Sequence, residues 1–247
     1  MIYIISLRNR RNRELAEMNT IKNKFFSIIS HDLKNPVITQ YNALQLLTDN
    51  VHKWDVNTLS DYSEELFKQS GALVDLLKDL LDWSLIQLGR NTHTPVIFNL
   101  VAALRSDIKV IKNMAEHKNI TFETRMPQLL VVTADQNMLV TVIRNLLANA
   151  VKFTASGGMI TLEITEDNGE TVISVTDTGI GMSQEHIRNL FRLESAHSHY
   201  GTAGEQGSAL GLIVCKELLE KHDSKLNVES TEGAGSRFWF EIKELKS

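Results

Sequence analysis

One cysteine, three prolines and an aromatic content of 6% mark what this 247-residue chain has little of. A lone thiol, Cys215, excludes an internal disulfide framework; it lies in the apolar run L-G-L-I-V-C-K, where a small core residue is expected. The apolar start M-I-Y-I-I-S-L is too short for a bilayer-spanning helix, which needs about 20 residues. It leads straight into R-N-R-R-N-R, the pattern expected at the cytoplasmic end of a membrane span. The expectation is a soluble portion, on the cytoplasmic side, of a protein held at the membrane by an upstream segment. A broad basic excess is also lacking. The net charge is −4, and residues 1–24 hold six basic side chains against Glu14 and Glu17, leaving −8 for the remainder. That balance argues against a nucleic-acid binder. With 43% apolar and 23% charged residues, the chain has the composition of a globular protein and room for two ordinary domains.

Glycine is absent from Arg8 to Asn50 and Pro36 is the only proline there, so one long helix is expected. Leu15, Met18, Ile21 or Lys22, and Phe25 suggest a coiled-coil seam. The seam continues through Ile28, Ile29, Leu33, Val37, Tyr41, Leu44, Leu47 and Val51 at mostly three- and four-residue steps. Residues two apart on a helix point about 200° apart, so His31 faces away from Leu33, while Asn35 shares the face of His31. Pro36 lacks an N–H for the carbonyl of Asp32, which predicts a kink just after His31. Asp49–Thr58 reads as a turn, and a second helix carries Leu59, Tyr62, Leu66, Leu73, Leu76 or Leu77, Leu80 and Leu88. One such hairpin is too thin to bury both seams. A four-helix bundle made by two chains, a homodimer, is the natural completion.

Gly89–Pro95 reads as a linker. Beyond it, helices are expected at Val101–His117, Asp135–Lys152 and Leu210–His222, and strands at Ile120–Arg125, Leu129–Thr133, Ile160–Ile164, Thr171–Asp177, Leu226–Glu229 and Arg237–Ile242. Asn168-Gly169 is a hairpin signal. Grouped rather than alternating elements predict an α+β sandwich with mixed or antiparallel pairing. The fold class is therefore multidomain, an all-α hairpin followed by an α+β domain.

Three constellations in the second domain could do chemistry. In N-L-L-A-N-A-V-K-F-T (145–154), Asn145, Asn149 and Lys152 lie along one side of a helix. Amide oxygens suit a hard cation and a lysine suits phosphate, although the same residues serve equally as an exposed helix face. In D-T-G-I-G-M (177–182), Asp177 falls on the core face with Ile173 and Val175 and would need a donor there, such as a purine amino group. Gly179 and Gly181 allow positive φ and close approach of a ligand; the plainer reading makes Asp177 a turn cap. In G-T-A-G-E-Q-G-S-A-L-G-L (201–212), a glycine-rich loop opens a helix whose N–H groups favour phosphate, a weak signal alone.

Taken together, and after an exposed histidine, these motifs are specific. The chain resembles the sensor histidine kinases of two-component signalling over roughly residues 20–245. These join a dimerisation and phosphoacceptor hairpin to an ATP-binding domain of the type shared with gyrase, Hsp90 and MutL. H-D-L-K-N-P-V matches the phosphoacceptor box, N-L-L-A-N-A-V-K-F-T the asparagine box and D-T-G-I-G-M the first glycine box. Leu190-Phe191 stands where the family has its phenylalanine box, and G-S-A-L-G-L, with Gly207, Leu210 and Gly211, where it has the second glycine box. The implied division is a juxtamembrane segment (1–19), a dimerisation and phosphoacceptor domain (20–91) and a catalytic domain (92–247).

By that resemblance His31 takes the γ-phosphoryl of ATP, Asp32 is its base, and Asn35 orients water when phosphate is removed from the partner. Asn149, supported by Asn145, holds Mg²⁺, Lys152 neutralises phosphate, Asp177 receives the adenine amino group, and Met182–Ala209 forms a lid. The partner implied is an aspartate on a separate response-regulator receiver. Two positions depart from the pattern. Ala209 replaces the middle glycine of G-x-G-L-G-L, and Asp223 stands where a glycine often follows the last helix. Ala209 motivates an alternative: a nucleotide-binding scaffold with little kinase activity, or a module dominated by phosphatase action through Asn35. A DNA-topology or chaperone ATPase of the same superfamily is disfavoured by the hairpin with His31. His197 and His199 read as solvated polar residues, and Trp54, Trp83 and Trp239 as packing residues.

Overall fold

In the computed structural model of the protein, residues 33–87, 93–167, 170–191, 201–203 and 210–243 are described. They form two compact units dividing between Leu80 and Leu81. The long helix expected from Arg8 is therefore seen only as α1 (33–50), which continues through Pro36. The stretch from Arg8 to Asp32, and with it the kink, lies outside the described residues.

The turn after α1 is narrower than the expected Asp49–Thr58. It occupies 51–55, because Asp55 already starts helix α2 (Val56–Gln87) as its cap. Asp55 Oδ1 accepts from Thr58 N–H at 2.8 Å and Oδ2 from Thr58 Oγ1 at 3.2 Å. The Thr58 donors hold the exposed Asp55 carboxyl below its ordinary value. Trp54 packs edge-on against Tyr62, ring centroids 5.0 Å apart.

The line of α1 shielded within the hairpin is Leu33, Pro36, Gln40, Ala43, Leu47 and Asn50, at three- and four-residue steps. Gln40 Nε2 donates to Ser70 Oγ on α2, and Ser70 Oγ donates to Leu66 O at 2.8 Å. Val37, Tyr41, Leu44 and Val51, expected on the same seam, are exposed on the single chain. A single facing helix covers only one of two adjacent apolar stripes.

The second unit begins with β1 (Val96–Asn99), paired antiparallel to β3 (Val131–Ala134). The main sheet runs β2-β4-β5-β7-β6, from Thr121–Arg125, Met159–Asp167, Glu170–Asp177, Gly235–Lys243 and Asn227–Thr231. β2 pairs parallel with β4 and the remaining pairs are antiparallel. Helices α3 (Leu100–His117), α4 (Gln136–Phe153) and α6 (Gly211–Glu220) supply the second layer, with α4 packed between the others and against β4 and β5. The expected sandwich is present. β1 and the short helix α5 (Gln184–Asn189) were not anticipated. β1 is four residues long and owes its existence to β3, a partner more than thirty positions away.

The core sets Leu139, Ile143, Leu146 and Leu147 of α4 against Ile160, Leu162, Ile173 and Phe240 of the sheet, all fully buried. Each such side chain contributes about 1.5–3 kcal/mol. Cys215 is buried with its Sγ 3.8 Å from Val142 O, the small core residue expected. Asp135 caps α4, accepting from Met138 N–H at 3.1 Å through Oδ1 and from Thr94 N–H at 3.0 Å through Oδ2. His222 Nε2 accepts the Asp135 N–H at 3.1 Å, which leaves the Nδ1 proton for Leu218 O at 2.9 Å. Burial pushes the His222 imidazole below its ordinary range, and His93 lies edge-on to it at 4.4 Å.

Asp223 adopts φ 52°, the left-handed conformation in which a glycine is unstrained. Ser224 N–H reaches back to Leu219 O at 3.0 Å, closing the end of α6. Asp223→Gly is expected to raise the melting temperature by about 1–2 °C, since relief of left-handed strain exceeds the added unfolded-state entropy by about 0.5 kcal/mol. A thermal melt by circular dichroism checks this; a lower midpoint would contradict it.

Candidate active site

β5 delivers Asp177 to its last position. Period-two alternation places it with Ile173 and Val175 on the covered face, and it is 7% exposed. Burial raises its carboxyl above the ordinary value, opposed by backbone donors from Gly179 and Ser236. The Gly179 N–H donates to Asp177 Oδ1 at 2.8 Å. A carboxylate held this deep and this poorly compensated is suited to accept a further N–H from a ligand.

The two glycines after Asp177 differ in what they supply. Gly181 has φ 64°, and a Cβ there would lie 1.9 Å from Thr231 O. Gly179 is not in the left-handed region; a Cβ at that position would instead meet Phe153 O at 2.4 Å and Asp177 Oδ1 at 2.7 Å. It is needed for room and not for φ, a distinction that spacing alone does not make. Ile180, inside this turn, and Met159, whose backbone pairs with Thr178, are exposed apolar residues at the same place.

The turn is fastened to the end of α4, where Ile180 N–H donates to Phe153 O at 3.1 Å. Asn145, Asn149 and Lys152 are half-buried on that helix, opposite its core face, and Lys152 Nζ lies 4.6 Å from the Phe153 ring centroid. The fold thus brings the asparagine helix and the Asp177 turn together. Two amide oxygens are hard donors but too few for an octahedral shell. The set fits a Mg²⁺ that keeps water and phosphate oxygens as its other ligands. Among the described residues no cluster of three His, Cys, Asp or Glu could hold a metal ion.

Leu210 is buried and Gly211 opens α6, whose N-cap residue Leu210 offers no side-chain acceptor to the first amides. Gly207, Ala209, His197 and His199 lie outside the described residues, as do His31 and Asp32; Asn35 is exposed on α1. The stretch expected to be a lid contains α5, capped by Ser183 Oγ accepting from His186 N–H at 3.2 Å.

Residues 134–246 match the model of the histidine kinase-, DNA gyrase B- and HSP90-like ATPases. Residues 21–89 match the model of the His Kinase A phospho-acceptor domain. The chain belongs to the sensor histidine kinases of two-component signalling. It is 29% identical to the sensor protein GacS of Pseudomonas syringae over 242 residues, covering 95% of this chain and 26% of GacS. The sensor-like histidine kinase SenX3 of Mycobacterium tuberculosis is 26% identical, with 94% of this chain and 56% of SenX3 aligned. The kinase chain thus spans about a quarter to a half of these relatives' length. Among solved structures, the histidine kinase AdeS of Acinetobacter baumannii has a TM-score of 0.68 at 19% identity, covering 87% of this chain and 98% of AdeS. The histidine kinase ThkA, solved in complex with the response regulator TrrA, has a TM-score of 0.73 at 21% identity, covering 95% of this chain and 65% of that one. At those identities the structures support the fold alone: a helical region followed by a domain of sheet and helices.

Further residues support this kinase site, and of these Gly235 and Lys118 carry no local sequence signal. Gly235 has φ 94°, and a Cβ there would lie 2.0 Å from Asp177 O, so the backbone supporting Asp177 depends on a glycine in another strand. Thr154, fully buried, returns its hydroxyl to Ala150 O at 2.7 Å. Lys118 Nζ reaches Val151 O and Lys152 O, both at 2.9 Å.

Proposed function

We propose that the chain phosphorylates itself on His31 with ATP and passes the phosphoryl group to an aspartate of a separate response-regulator receiver. The observation that carries this reading is the buried carboxylate of Asp177 beside the Gly179–Gly181 turn, fastened to the helix bearing Asn145, Asn149 and Lys152. Asp177 accepts the adenine amino group. Asn149 and Asn145 would hold a Mg²⁺ ion, which would offset the charge developing on the transferring phosphoryl group. Lys152 and the amides around Gly207, Leu210 and Gly211 hold phosphate oxygens. A ring nitrogen of His31 then attacks Pγ, the bond from Pγ to the β–γ bridging oxygen breaks, and ADP departs. Asp32 takes the imidazole proton, and Asn35 orients water for hydrolysis of the receiver's aspartyl phosphate, which releases inorganic phosphate.

The active form in this proposal is a homodimer through the hairpin. Its support is the row of large apolar side chains left exposed on one chain, including Tyr41 at 67% and Phe67 at 81%. The membrane is reached through a segment upstream of this chain. The test is incubation with Mg-ATP. A phosphoprotein labile to acid and stable to base, losing its label on addition of a receiver domain, is expected; absence of any phosphoprotein would sink the proposal.

Ala209 supports a second reading, a nucleotide-binding scaffold or phosphatase-dominant module with weak kinase activity. Ala209→Gly is expected to tighten ATP binding by about five- to tenfold if that position requires a backbone only glycine tolerates freely. Calorimetric titration of both proteins decides. Equal affinities would remove the ground for this reading.

A further inference from the structure

The last turn of an α-helix leaves carbonyls without intrahelical partners, and the aligned peptide dipoles give that end a partial negative charge. On α4 the same turn carries Lys152, whose side chain is assigned to phosphate. A negative helix end therefore stands beside the site of a polyanion. Each of the last four carbonyls has a partner. The N–H and hydroxyl of Thr154 donate to Ala150 O, Ile180 N–H donates to Phe153 O, and Thr202 donates to Lys152 O. Lys118 differs from these in kind: its Nζ donates to both Val151 O and Lys152 O at 2.9 Å. Of these donors it alone carries a full charge.

The backbone fixes where that charge falls. Lys118 is the C-cap of α3, with its own N–H bonded to Ala115 O at 3.1 Å, and Ile120 N–H closes on the same carbonyl at 2.8 Å. Asn119, at φ 55°, turns the chain and accepts Gly157 N–H at 2.9 Å from the loop that follows α4. The corner is thus tied before and after Lys118, and its half-buried side chain lays the ammonium on the end of α4. A neutral donor or a water molecule would satisfy the same two carbonyls. Neither would cancel the negative end of the helix.

We propose that Lys118 is a positioning residue for the triphosphate: its ammonium neutralises the negative end of α4 and holds the turn that displays Lys152. The inference rests on the kinase reading and adds to it a residue outside the recognised motifs. Lys118 is assigned no contact with a reacting atom. Its effect is electrostatic and grows with the negative charge of the ligand, which sets it apart from a residue that only keeps the unit folded.

The test compares the full chain with Lys118→Met, which keeps an unbranched apolar stem and loses the charge, and Lys118→Arg, which keeps the charge. Loss of one half-buried cation beside the phosphates predicts binding of Mg-AMPPNP weakened about three- to tenfold in the methionine variant, read by calorimetric titration. Adenosine has no phosphate, and by NMR titration it should bind the parent and the methionine variant within about twofold of each other. The arginine variant should recover the parent's affinity for Mg-AMPPNP. A lower melting temperature is expected in the methionine variant, which loses a helix cap; retained adenosine binding shows that its site still forms. If the unaltered chain binds the analogue and the methionine variant binds it equally well, the Lys118 assignment alone falls. Adenosine weakened as much as Mg-AMPPNP overturns it, since the loss would then be structural, and so does failure of arginine to restore binding. If the unaltered chain binds no nucleotide, the kinase reading falls and takes this inference with it.

Discussion

His31→Gln is expected to reduce incorporation of acid-labile phosphate from Mg-ATP by at least about a thousandfold, because the variant has lost the nucleophile itself. Imidazole is neutral and nucleophilic near pH 7, and its phosphorylated form has an N–P bond that acid cleaves and base does not. Glutamine keeps a polar side chain of comparable reach, but its amide nitrogen has no lone pair available for attack on phosphorus. Nucleotide binding should persist, since Asn145, Asn149, Lys152 and Asp177 belong to the other unit. The measurement is label retained after acid and after alkali, with calorimetric binding of Mg-AMPPNP alongside. Label surviving in His31→Gln would mean that another residue is the acceptor.

Asp177→Asn should weaken nucleotide binding by about 30- to 100-fold while leaving the fold as stable as before or more so. The amide oxygen of asparagine can still accept the Gly179 N–H now bonded at 2.8 Å. Its NH₂ group then opposes the adenine amino group, donor against donor. Stability moves the other way for an electrostatic reason. Burial raises the Asp177 carboxyl, so the unfolded chain loses this proton more readily than the folded one. The folded state is therefore favoured below the ordinary carboxylate value and gives up that advantage as pH rises through the raised value. Asparagine has no proton to lose. The melting temperature of the variant relative to the parent should be higher at pH 7 than at pH 3. A drop in melting temperature at pH 7 would show that the carboxylate is held by more than Gly179 and Ser236. Unchanged nucleotide affinity would remove Asp177 from the site.

Much of this follows from patterns along single elements. Alternation along Thr171–Asp177 placed Asp177 on the covered face, and the structure leaves it nearly inaccessible. The 3.6-residue period separated Asn145, Asn149 and Lys152 from Leu139, Ile143, Leu146 and Leu147, and the latter four are fully buried. The remainder needed two elements to be known together. Along α1 the apolar residues form adjacent stripes, and only the facing α2 selects Leu33, Ala43 and Leu47 over Val37, Tyr41 and Leu44. β1 has too few residues to announce itself and exists through β3.

The sequence by itself determined which side chains can do the chemistry: a histidine with an acid beside it, two asparagines and a lysine on one helix face, and an aspartate before two glycines. Side-chain identity and helical or strand period are local properties, written in consecutive residues. Only the tertiary structure decided how deep Asp177 sits, that Gly179 is needed for room while Gly181 is needed for φ, and that Gly235 in another strand must lack a side chain to let Asp177 stand where it does. It alone joined Lys118 and Thr202 to the carbonyls of α4. Those bonds close loops of more than thirty residues. Their partners are set by how helices and sheet pack, and no period along the chain encodes them.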